Sequence, residues 1–332
     1  MTPITEVEGR RLTLSNLDKV LYTASPTAHS HARSPSPSPP PAPAPGFTKG
    51  EMLHYYASTA EALLPHLHNR PASFLRFPDG PDGQRFFAKN VPPGAPDWVQ
   101  TADVPRSDGN ARQVLVNDLP TLMWAANLVT EFHTPQWQAD APALADRLVL
   151  DLDPGEPATV VECCRAGLWL RERLLADGLD VYAKTSGSKG LHLLCPLEPT
   201  PSAQVTAYAK ALAQEAEAAL PDLVVHRMTR SLRPGKVFVD FSQNAAAKTT
   251  ATPYTLRARR EPTVSTPVTW EEVEEAAEKG TEETEEAAAK DNLAAFVFLA
   301  TDIAPRLQRY GDLLAPLTDP DQARPLPPPF NS

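Results

Sequence analysis

Two aspartates at the end of an apolar stretch are the residues best suited to chemistry. Residues 147–155 alternate leucine with other side chains and then carry Asp151, Asp153 and a Pro-Gly pair that stops a strand. As a β-strand, the stretch points its leucines to one face and both aspartates to the other. Two carboxylates at the mouth of a buried strand repel each other, so the pattern favours a divalent cation between them.

A third aspartate follows on a second apolar run. Residues 236–242 are β-branched and aromatic, and Asp240 shares a strand face with Phe238. If the two strands are neighbours, Asp151, Asp153 and Asp240 could hold two metal ions, the arrangement that phosphoryl and nucleotidyl transfer use to activate the attacking and leaving oxygens. An acid at a strand end is also often only a cap or a surface charge, and for Asp240 alone this alternative stays open.

A small Gly/Ser-rich turn lies between the two acidic runs. Residues 185–190 read Thr-Ser-Gly-Ser-Lys-Gly, with Ser186 and Lys189, and lead into a strand that carries His192. Backbone N–H groups, hydroxyls and a lysine in such a turn can bind a triphosphate. The spacing is not that of a Walker A loop, so the turn alone is weak evidence for triphosphate binding. Its position between the two acidic strands makes that evidence stronger.

Four further residues are candidates for contact with nucleic acid. Lys49 falls in the first turn of a helix that Thr48 is expected to cap, where a cation is unfavourable unless an anion binds there. Phe86 and Phe87 are flanked by basic residues and could stack on a nucleobase, although one ring in the core and one outside is an equally good interpretation. For Lys19, the spacing alone does not exclude an ordinary solvated lysine.

Composition restricts the class of protein. The chain has 332 residues, of which 42% are hydrophobic, enough for one large or two modest domains. It lacks an apolar run that could span a bilayer and a basic-then-apolar N-terminal signal, so we expect a cytoplasmic protein. The three cysteines form no C-x-x-C pair, and neither a disulfide framework nor a zinc site is indicated. The net charge of −10 disfavours a general polyanion binder, but much of the acid lies in residues 271–286 and leaves room for a local basic channel.

Apolar periodicity and turn residues place the elements along the chain. Helices are expected at about residues 48–64, 119–130, 159–179, 202–220 and 292–314, and a solvated acidic helix from 271. Besides the acidic strands, strands are expected within residues 9–22, 71–80, 85–90, 113–118, 131–137 and 180–185. Residues 24–46 are rich in Pro, Ser and Ala and should form an exposed, disordered insertion.

Six motifs, in this order, resemble the polymerase domain of bacterial DNA ligase D, which belongs to the archaeo-eukaryotic primase superfamily. The motifs are Asn-Leu-Asp-Lys-Val-Leu-Tyr, Phe-Phe-Ala-Lys, His-Thr-Pro-Gln-Trp, Leu-Asp-Leu-Asp-Pro-Gly, Thr-Ser-Gly-Ser-Lys-Gly-Leu-His and Lys-Val-Phe-Val-Asp-Phe-Ser-Gln-Asn. The resemblance spans about residues 8–317, departs from the family at the 24–46 insertion, and includes no Lys-x-Asp-Gly ligase motif, so we expect a stand-alone polymerase. It implies an α+β fold of mostly antiparallel sheets flanked by helices, a central active-site cleft, and one domain over 1–317 (with an acidic helical segment at 268–290) before a Pro-rich tail.

The resemblance also implies a function and a role for each candidate residue. The function is template-directed addition of nucleotides, preferably ribonucleotides, at DNA gaps and breaks in non-homologous end joining, with Ku and a ligase as partners at the nucleoid. The roles are two Mn²⁺ or Mg²⁺ ions on Asp151, Asp153 and Asp240; triphosphate binding by Ser186, Lys189 and His192; contacts to the incoming nucleotide by His133, Gln243 and Arg257; stacking of Phe86 or Phe87 on the templating base; and binding of a 5′-phosphate by Lys19 and Lys49. The insertion lies between these two lysines and puts their mutual geometry in question.

Three other functions compete with this interpretation. A phosphatase that uses an Asp-x-Asp pair would require alternating βα units, and here Pro154 and Gly155 follow the pair. A non-catalytic module that binds DNA ends would gain nothing from three clustered carboxylates. A primase that starts strands de novo differs little in sequence from a gap-filling enzyme, and priming without a 3′-hydroxyl would separate the two.

Overall fold

The computed structural model describes residues 4–23, 46–106, 109–279 and 296–328. Most of the predicted 24–46 insertion and residues 280–290 of the predicted acidic segment therefore lie outside the described residues. Within the described ranges, no helix is long and apolar enough to cross a membrane. The division into a domain over 1–317 and a tail stays a prediction, although the backbone of Arg324, within the predicted tail, hydrogen-bonds with Pro196 and Glu198 on a strand of the body.

The described residues form an α+β succession in which several strands follow one another directly along the chain. The helices are α1 Lys49–Ser58, α2 Ala60–Leu67, α3 Leu119–Asn127, α4 Val160–Ala176, α5 Ser202–Ala219, α6 Trp270–Lys279 and α7 Ala300–Tyr310. The strands are β1 Ile4–Val7, β2 Arg10–Thr13, β3 Val20–Tyr22, β4 Phe47–Thr48, β5 Pro71–Arg76, β6 Phe86–Ala88, β7 Thr101–Arg106, β8 Gly109–Leu115, β9 Thr130–Thr134, β10 Leu144–Pro154, β11 Tyr182–Thr185, β12 Leu191–Pro201, β13 Val224–Val225, β14 Val237–Asp240, β15 Thr250–Ala251 and β16 Pro267–Val268.

Two six-stranded sheets carry the architecture. In sheet I the order is β13-β14-β10-β12-β11-β16, and in sheet II it is β15-β9-β5-β8-β7 with β6 paired to β5. All pairings are antiparallel except the short β13–β14 contact. The predicted fold of mostly antiparallel sheets flanked by helices is confirmed. The same pairing disfavours the phosphatase alternative, which requires parallel strands joined by helices.

The period-two pattern of β10 builds the core of sheet I. Leu148, Leu150 and Leu152 are fully buried in one cluster with apolar residues of α4 and α5, as the alternation predicts. Val149 lies on the opposite face in a separate small cluster. Thr159 begins α4 with a capping box to Glu162, and apolar residues of this helix pack on the leucine face. Asp151 and Asp153 therefore point away from the core.

Two predicted helices differ in the structure. The expected 48–64 helix begins at the predicted Thr48 cap but breaks at Thr59. The hydroxyls of Ser58 and Thr59 both donate to the carbonyl of Tyr55, at 2.9 and 2.8 Å, and this local bonding competes with helix continuation. Of the expected 292–314 helix, residues 292–295 lie outside the described residues, and the structure places a helix at Ala300–Tyr310. Residues 296–299 are not helical, and the carbonyl of Phe298 accepts a hydrogen bond from the N–H of Val264 at 2.8 Å.

Two other expectations also need correction. The strand expected at 113–118 covers Gly109–Leu115 instead, because Asp118 leaves the strand to cap α3 through the N–H of Thr121. The helix expected to be solvated from residue 271 buries one face, with Val273, Ala276 and Ala277 packed in the core of sheet I. The prediction of a solvated helix followed from the many acidic residues and overlooked the helical spacing of these apolar ones.

Candidate active-site cleft

The three aspartates lie on neighbouring antiparallel strands. In the pairing of β10 with β14, Asp151 is the direct partner of Asp240, and Asp153 is the partner of Phe238. Directly opposite residues of an antiparallel pair lie about 4.5–5.5 Å apart at Cβ. The condition set by the sequence, that the two acidic strands be adjacent, is met.

The two aspartates of β10 have opposite electrostatic surroundings. Burial alone would raise the pKa of Asp151, but His192, whose Nε2 lies 3.2 Å from Oδ1, outweighs it together with Lys184 and lowers that pKa. Burial and the charge of Asp151 raise the pKa of Asp153 to about 6. Asp153 therefore carries a negative charge that its protein neighbours do not fully compensate.

The third carboxylate is held by its own strand end. Oδ1 of Asp240 accepts from the N–H and hydroxyl of Ser242 at 2.9 and 2.6 Å, and Oδ2 accepts from Nε2 of Gln243 at 3.0 Å. Among the residues that the structure describes, no three acidic, histidine or cysteine side chains already close around a metal position. The oxygen donors nonetheless suit Mg²⁺ or Mn²⁺, and the excess negative charge that raises the pKa of Asp153 is what such a cation would neutralise.

The Gly/Ser turn is anchored against β10. Oγ of Ser186 accepts from the N–H groups of Ser188 and Gly190 at 3.2 and 3.1 Å, and Nζ of Lys189 donates to the carbonyl of Pro154 at 2.9 Å. A Cβ at Gly190 would lie 2.3 Å from the carbonyl oxygen of Leu152, so this position requires glycine. Two of the N–H groups expected to bind a triphosphate are thus used inside the turn.

A cavity of about 400 Å³ unites these elements. Its wall includes all six residues predicted to bind nucleotide, together with Asp151 and Asp153, and Asp240 adjoins it through Gln243. The lining residues are His133, Asp151, Asp153, Ser186, Ser188, Lys189, His192, Gln243, Thr249, Thr250, Ala251, Arg257 and Arg259. The volume and the mixture of cations, hydroxyls and carboxylates suit a small anionic ligand beside bound metal.

The two candidate 5′-phosphate lysines lie together, away from this cavity. The N–H of Lys49 donates to the carbonyl of Lys19 at 2.8 Å, because β3 pairs with β4 across the insertion. Nζ of Lys49 lies 3.3 Å from Oγ of Ser15, and Nζ of Lys19 forms an ion pair with Asp79 at 2.6 Å. Burial and the charge of Lys19 lower the pKa of Lys49 to about 8. The insertion therefore leaves the two lysines adjacent.

Both candidate stacking rings are accessible. Phe86 is 43% exposed and Phe87 is 54% exposed, so the interpretation with one ring in the core is wrong. The Phe87 ring lies edge-on to His133, with 5.9 Å between centroids. An accessible aromatic pair thus stands at the edge of the cavity.

The comparisons with known proteins agree with this geometry. Residues 48–294 match the family model described as LigD, primase-polymerase domain. The chain belongs to this family. It is 38% identical over 311 residues to the multifunctional non-homologous end joining protein LigD of Mycolicibacterium smegmatis, covering 92% of this chain and 36% of that protein. It is 32% identical over 230 residues to the bifunctional LigD of Bacillus subtilis, covering 68% and 37%.

A solved structure extends the likeness to nearly the whole chain. The polymerase domain of Mycobacterium tuberculosis ligase D in complex with DNA is 39% identical, with a TM-score of 0.78, covering 93% of this chain and 98% of that one. The family and the fold that the six motifs predict are confirmed. This LigD-family chain spans about a third of the length of the curated relatives it matches.

Sequence reasoning missed a buried carboxylate that joins two of the predicted residues in this LigD-family cleft. Glu131 is 1% exposed, and its Oε1 lies 2.7 Å from Nε2 of His133 and 2.8 Å from Nε of Arg257. Its Oε2 accepts from the N–H of Ala258 at 2.8 Å. Burial opposes ionisation, but Arg257 and His133 outweigh it and lower the pKa of Glu131 to about 2. The sequence did contain one indication of this contact: Glu131 precedes His133 by two residues, so the two side chains share a face of the strand.

A buried lysine was missed as well. Lys184 is 1% exposed, is the strand partner of His192, and donates from Nζ to Oγ of Ser265 at 2.6 Å. Burial and the charge of Arg257 lower its pKa to about 7. The same burial, with Lys184, lowers the pKa of His192. The pairing of β11 with β12 decides this contact, and the sequence does not show it.

Proposed function

We propose that this chain adds nucleotides to a primer 3′-hydroxyl under the direction of a DNA template, at gaps and breaks that are repaired by non-homologous end joining. The observation that carries the proposal is the register of β10 and β14, which pairs Asp151 with Asp240 beside a cavity lined by cations and hydroxyls. The DNA complex of the Mycobacterium tuberculosis domain supports DNA as the substrate.

The aspartates would form the metal site of the reaction. Asp151, Asp153 and Asp240 would hold Mn²⁺ or Mg²⁺, two ions by the family resemblance. Bound there, the cations lower the pKa of the primer hydroxyl and neutralise the triphosphate. His192 orients Asp151 from 3.2 Å, and Ser242 and Gln243 orient Asp240. These contacts fix the carboxylate oxygens before a ligand arrives.

The opposite wall of the cavity would bind the incoming nucleotide. Ser186, Lys189 and His192 come from the turn and the start of β12, and His133, Gln243 and Arg257 line the same cavity. Arg257 also donates to the carbonyl of Ser186, which links it to the turn. Lysine and arginine side chains neutralise phosphate charge as it shifts to the leaving pyrophosphate.

The surface around the cavity would hold the DNA. Phe86 and Phe87 provide an accessible aromatic pair for stacking on the templating base. Lys19 and Lys49, adjacent at the β3–β4 pair, would bind the 5′-phosphate on the far side of a gap. The preference for ribonucleotides, the partners Ku and a ligase, and a location at the nucleoid rest on the family resemblance alone.

Primer extension on a gapped duplex tests the proposal. The duplex carries a 5′-phosphate at the gap, and NTPs or dNTPs are supplied with Mn²⁺ or Mg²⁺. Template-directed addition that stops when the metal is chelated is the expected result, and it ranks the sugars and metals at once. DNA binding without addition under any condition would overturn the proposal and favour the end-binding alternative. Addition on template that lacks a primer would favour a primase.

A further inference from the structure

A second cavity, of about 560 Å³, adjoins the candidate active site. Thr249 lines both cavities. His133 lines the first, and Pro135 and Trp137, which follow it closely in sequence, line the second. The Trp137 ring is anchored, since its Nε1 donates to the carbonyl of Ala246 at 2.9 Å. The rest of the wall is mainly apolar and includes Pro71, Val104, Pro105 and Pro142. A flat apolar group would have faces to stack on here.

One buried polar side chain in the wall of this cavity is Gln113. Gln113 is 5% exposed and lines the cavity, and its amide makes no hydrogen bond to any residue within the described ranges. The amide atoms are not fully enclosed, so they remain accessible from the cavity to a ligand or water. Glutamine presents a donor and an acceptor side by side, which is the pattern that pairs with the edge of a nucleobase.

The charge of the cavity favours a ligand attached to a phosphate backbone. Lys89 is the charged side chain among the lining residues that the structure describes, and no acid lines the wall. Its Nζ donates to the carbonyl of Ala247 at 2.9 Å, and an ammonium group has two further protons to donate. Lys89 follows Phe87 by two residues, so the second cavity continues from the aromatic pair at the edge of the first. A single lysine would match one bridging phosphate, whereas a triphosphate would need more cations.

We infer that the second cavity receives an unpaired nucleobase of the DNA template strand, next to the base that stacks at Phe86 and Phe87. The base lies between Trp137 and the prolines, its edge pairs with Gln113, and its phosphate contacts Lys89. Enzymes that extrude a base hold it by the same combination of stacking and edge contacts. The inference rests on the proposed function, because template DNA in the first cavity is what brings the base to the second.

Binding measured with and without that base tests the inference. Two gapped duplexes are compared, in which the template nucleotide beside the templating position is unpaired and carries either a base or an abasic tetrahydrofuran. Their phosphates are identical, so the ratio of the two dissociation constants isolates the base. The wild-type chain should bind the duplex with the base about 5- to 150-fold more tightly, the range that base–aromatic stacking gives.

Two variants locate the effect. Gln113→Leu keeps the volume and removes the amide, so it should lower the ratio and remove any difference between bases. Ala247→Trp, at an exposed position on the rim of the cavity, should bring the ratio close to one. Gln204→Leu is the matched control, since this exposed glutamine of α5 borders a different cavity, and it should keep the wild-type ratio.

Two outcomes would overturn the inference: a wild-type ratio near one, or an Ala247→Trp ratio equal to that of the wild type. If Gln113→Leu does not fold, Ala247→Trp alone decides. Extension of a fully paired gapped duplex separates this failure from failure of the proposed function. If the protein extends the primer but binds both duplexes equally, only the inference about the second cavity is refuted. If it binds the duplex with the base more tightly but does not extend the primer, only the proposed polymerase function is refuted.

Discussion

Replacing Glu131 by glutamine should weaken both the fold and nucleotide binding. The substitution keeps the shape of the side chain and removes the charge that Arg257 and His133 contact at 2.8 and 2.7 Å. Glu131 is almost completely buried, so solvent screens these contacts little. The variant would leave the guanidinium of Arg257 without its anion, at the point where it also reaches the carbonyl of Ser186.

The magnitude follows from the lowered pKa of Glu131. A shift from 4.5 to about 2 corresponds to about 2.5 pKa units, or on the order of 3 kcal/mol at pH 7. Because the folded pKa is the lower one, this stability is fully present above pH 4.5 and is lost as the pH falls towards 2. The difference in unfolding free energy between wild type and Glu131→Gln should therefore be largest at neutral pH and shrink below pH 4.5.

Urea unfolding at several pH values measures the free energy of unfolding. Steady-state primer extension measures kcat and the KM for the nucleotide. We expect Glu131→Gln to raise KM for the nucleotide more than it lowers kcat, because Arg257 and His133 are the groups it holds. Glu272→Gln is the control: Glu272 pairs with Arg306 at 2.6 and 2.8 Å, away from the cleft, and its loss should affect stability alone. An unchanged unfolding free energy and KM in Glu131→Gln would refute the reasoning.

Two further predictions concern the turn and the phosphate site. Gly190→Ala would place a Cβ 2.3 Å from the carbonyl of Leu152, which should displace the turn, cost about 1–3 kcal/mol and raise KM for the nucleotide; an unchanged KM would contradict the assigned role of the turn. The pKa of Lys49 is lowered to about 8 by burial and by Lys19, so its positive charge is lost as the pH rises through 8. The tighter binding of gaps with a 5′-phosphate, measured by fluorescence anisotropy, should therefore weaken from about pH 7 to about pH 9 and be absent in Lys49→Ala; a preference that persists in that variant would contradict the site.

The leucine alternation of β10 was enough to predict which side of the strand is buried. It put Leu148, Leu150 and Leu152 in the core and both aspartates on the other face, because side chains of a strand alternate regardless of what the strand pairs with. That β14 lies next to β10 could only be assumed from the sequence. Its register, with Asp151 opposite Asp240, is a property of tertiary pairing that the sequence does not display.

Contacts between distant parts of the chain account for what sequence reasoning missed. Glu131 meets the N–H of Ala258 from 127 residues away, and Lys184 meets Ser265 from 81 residues away. Neither residue forms a motif on its own, and each looks like an ordinary surface charge until the strands pair. The local competition of Ser58 and Thr59 for one carbonyl likewise broke a helix that the apolar periodicity predicted as continuous.

Single-nucleotide addition by wild type and Asp151→Asn tests the central claim most directly. Both proteins are given the same gapped duplex with a 5′-phosphate, Mn²⁺ and the NTP complementary to the template, and duplex binding is measured in parallel. The account predicts one templated addition by the wild type and a loss of at least about a hundredfold in the variant, with equal affinity for the duplex. Equal rates of addition in the two proteins would contradict the assignment of the paired aspartates as the catalytic site.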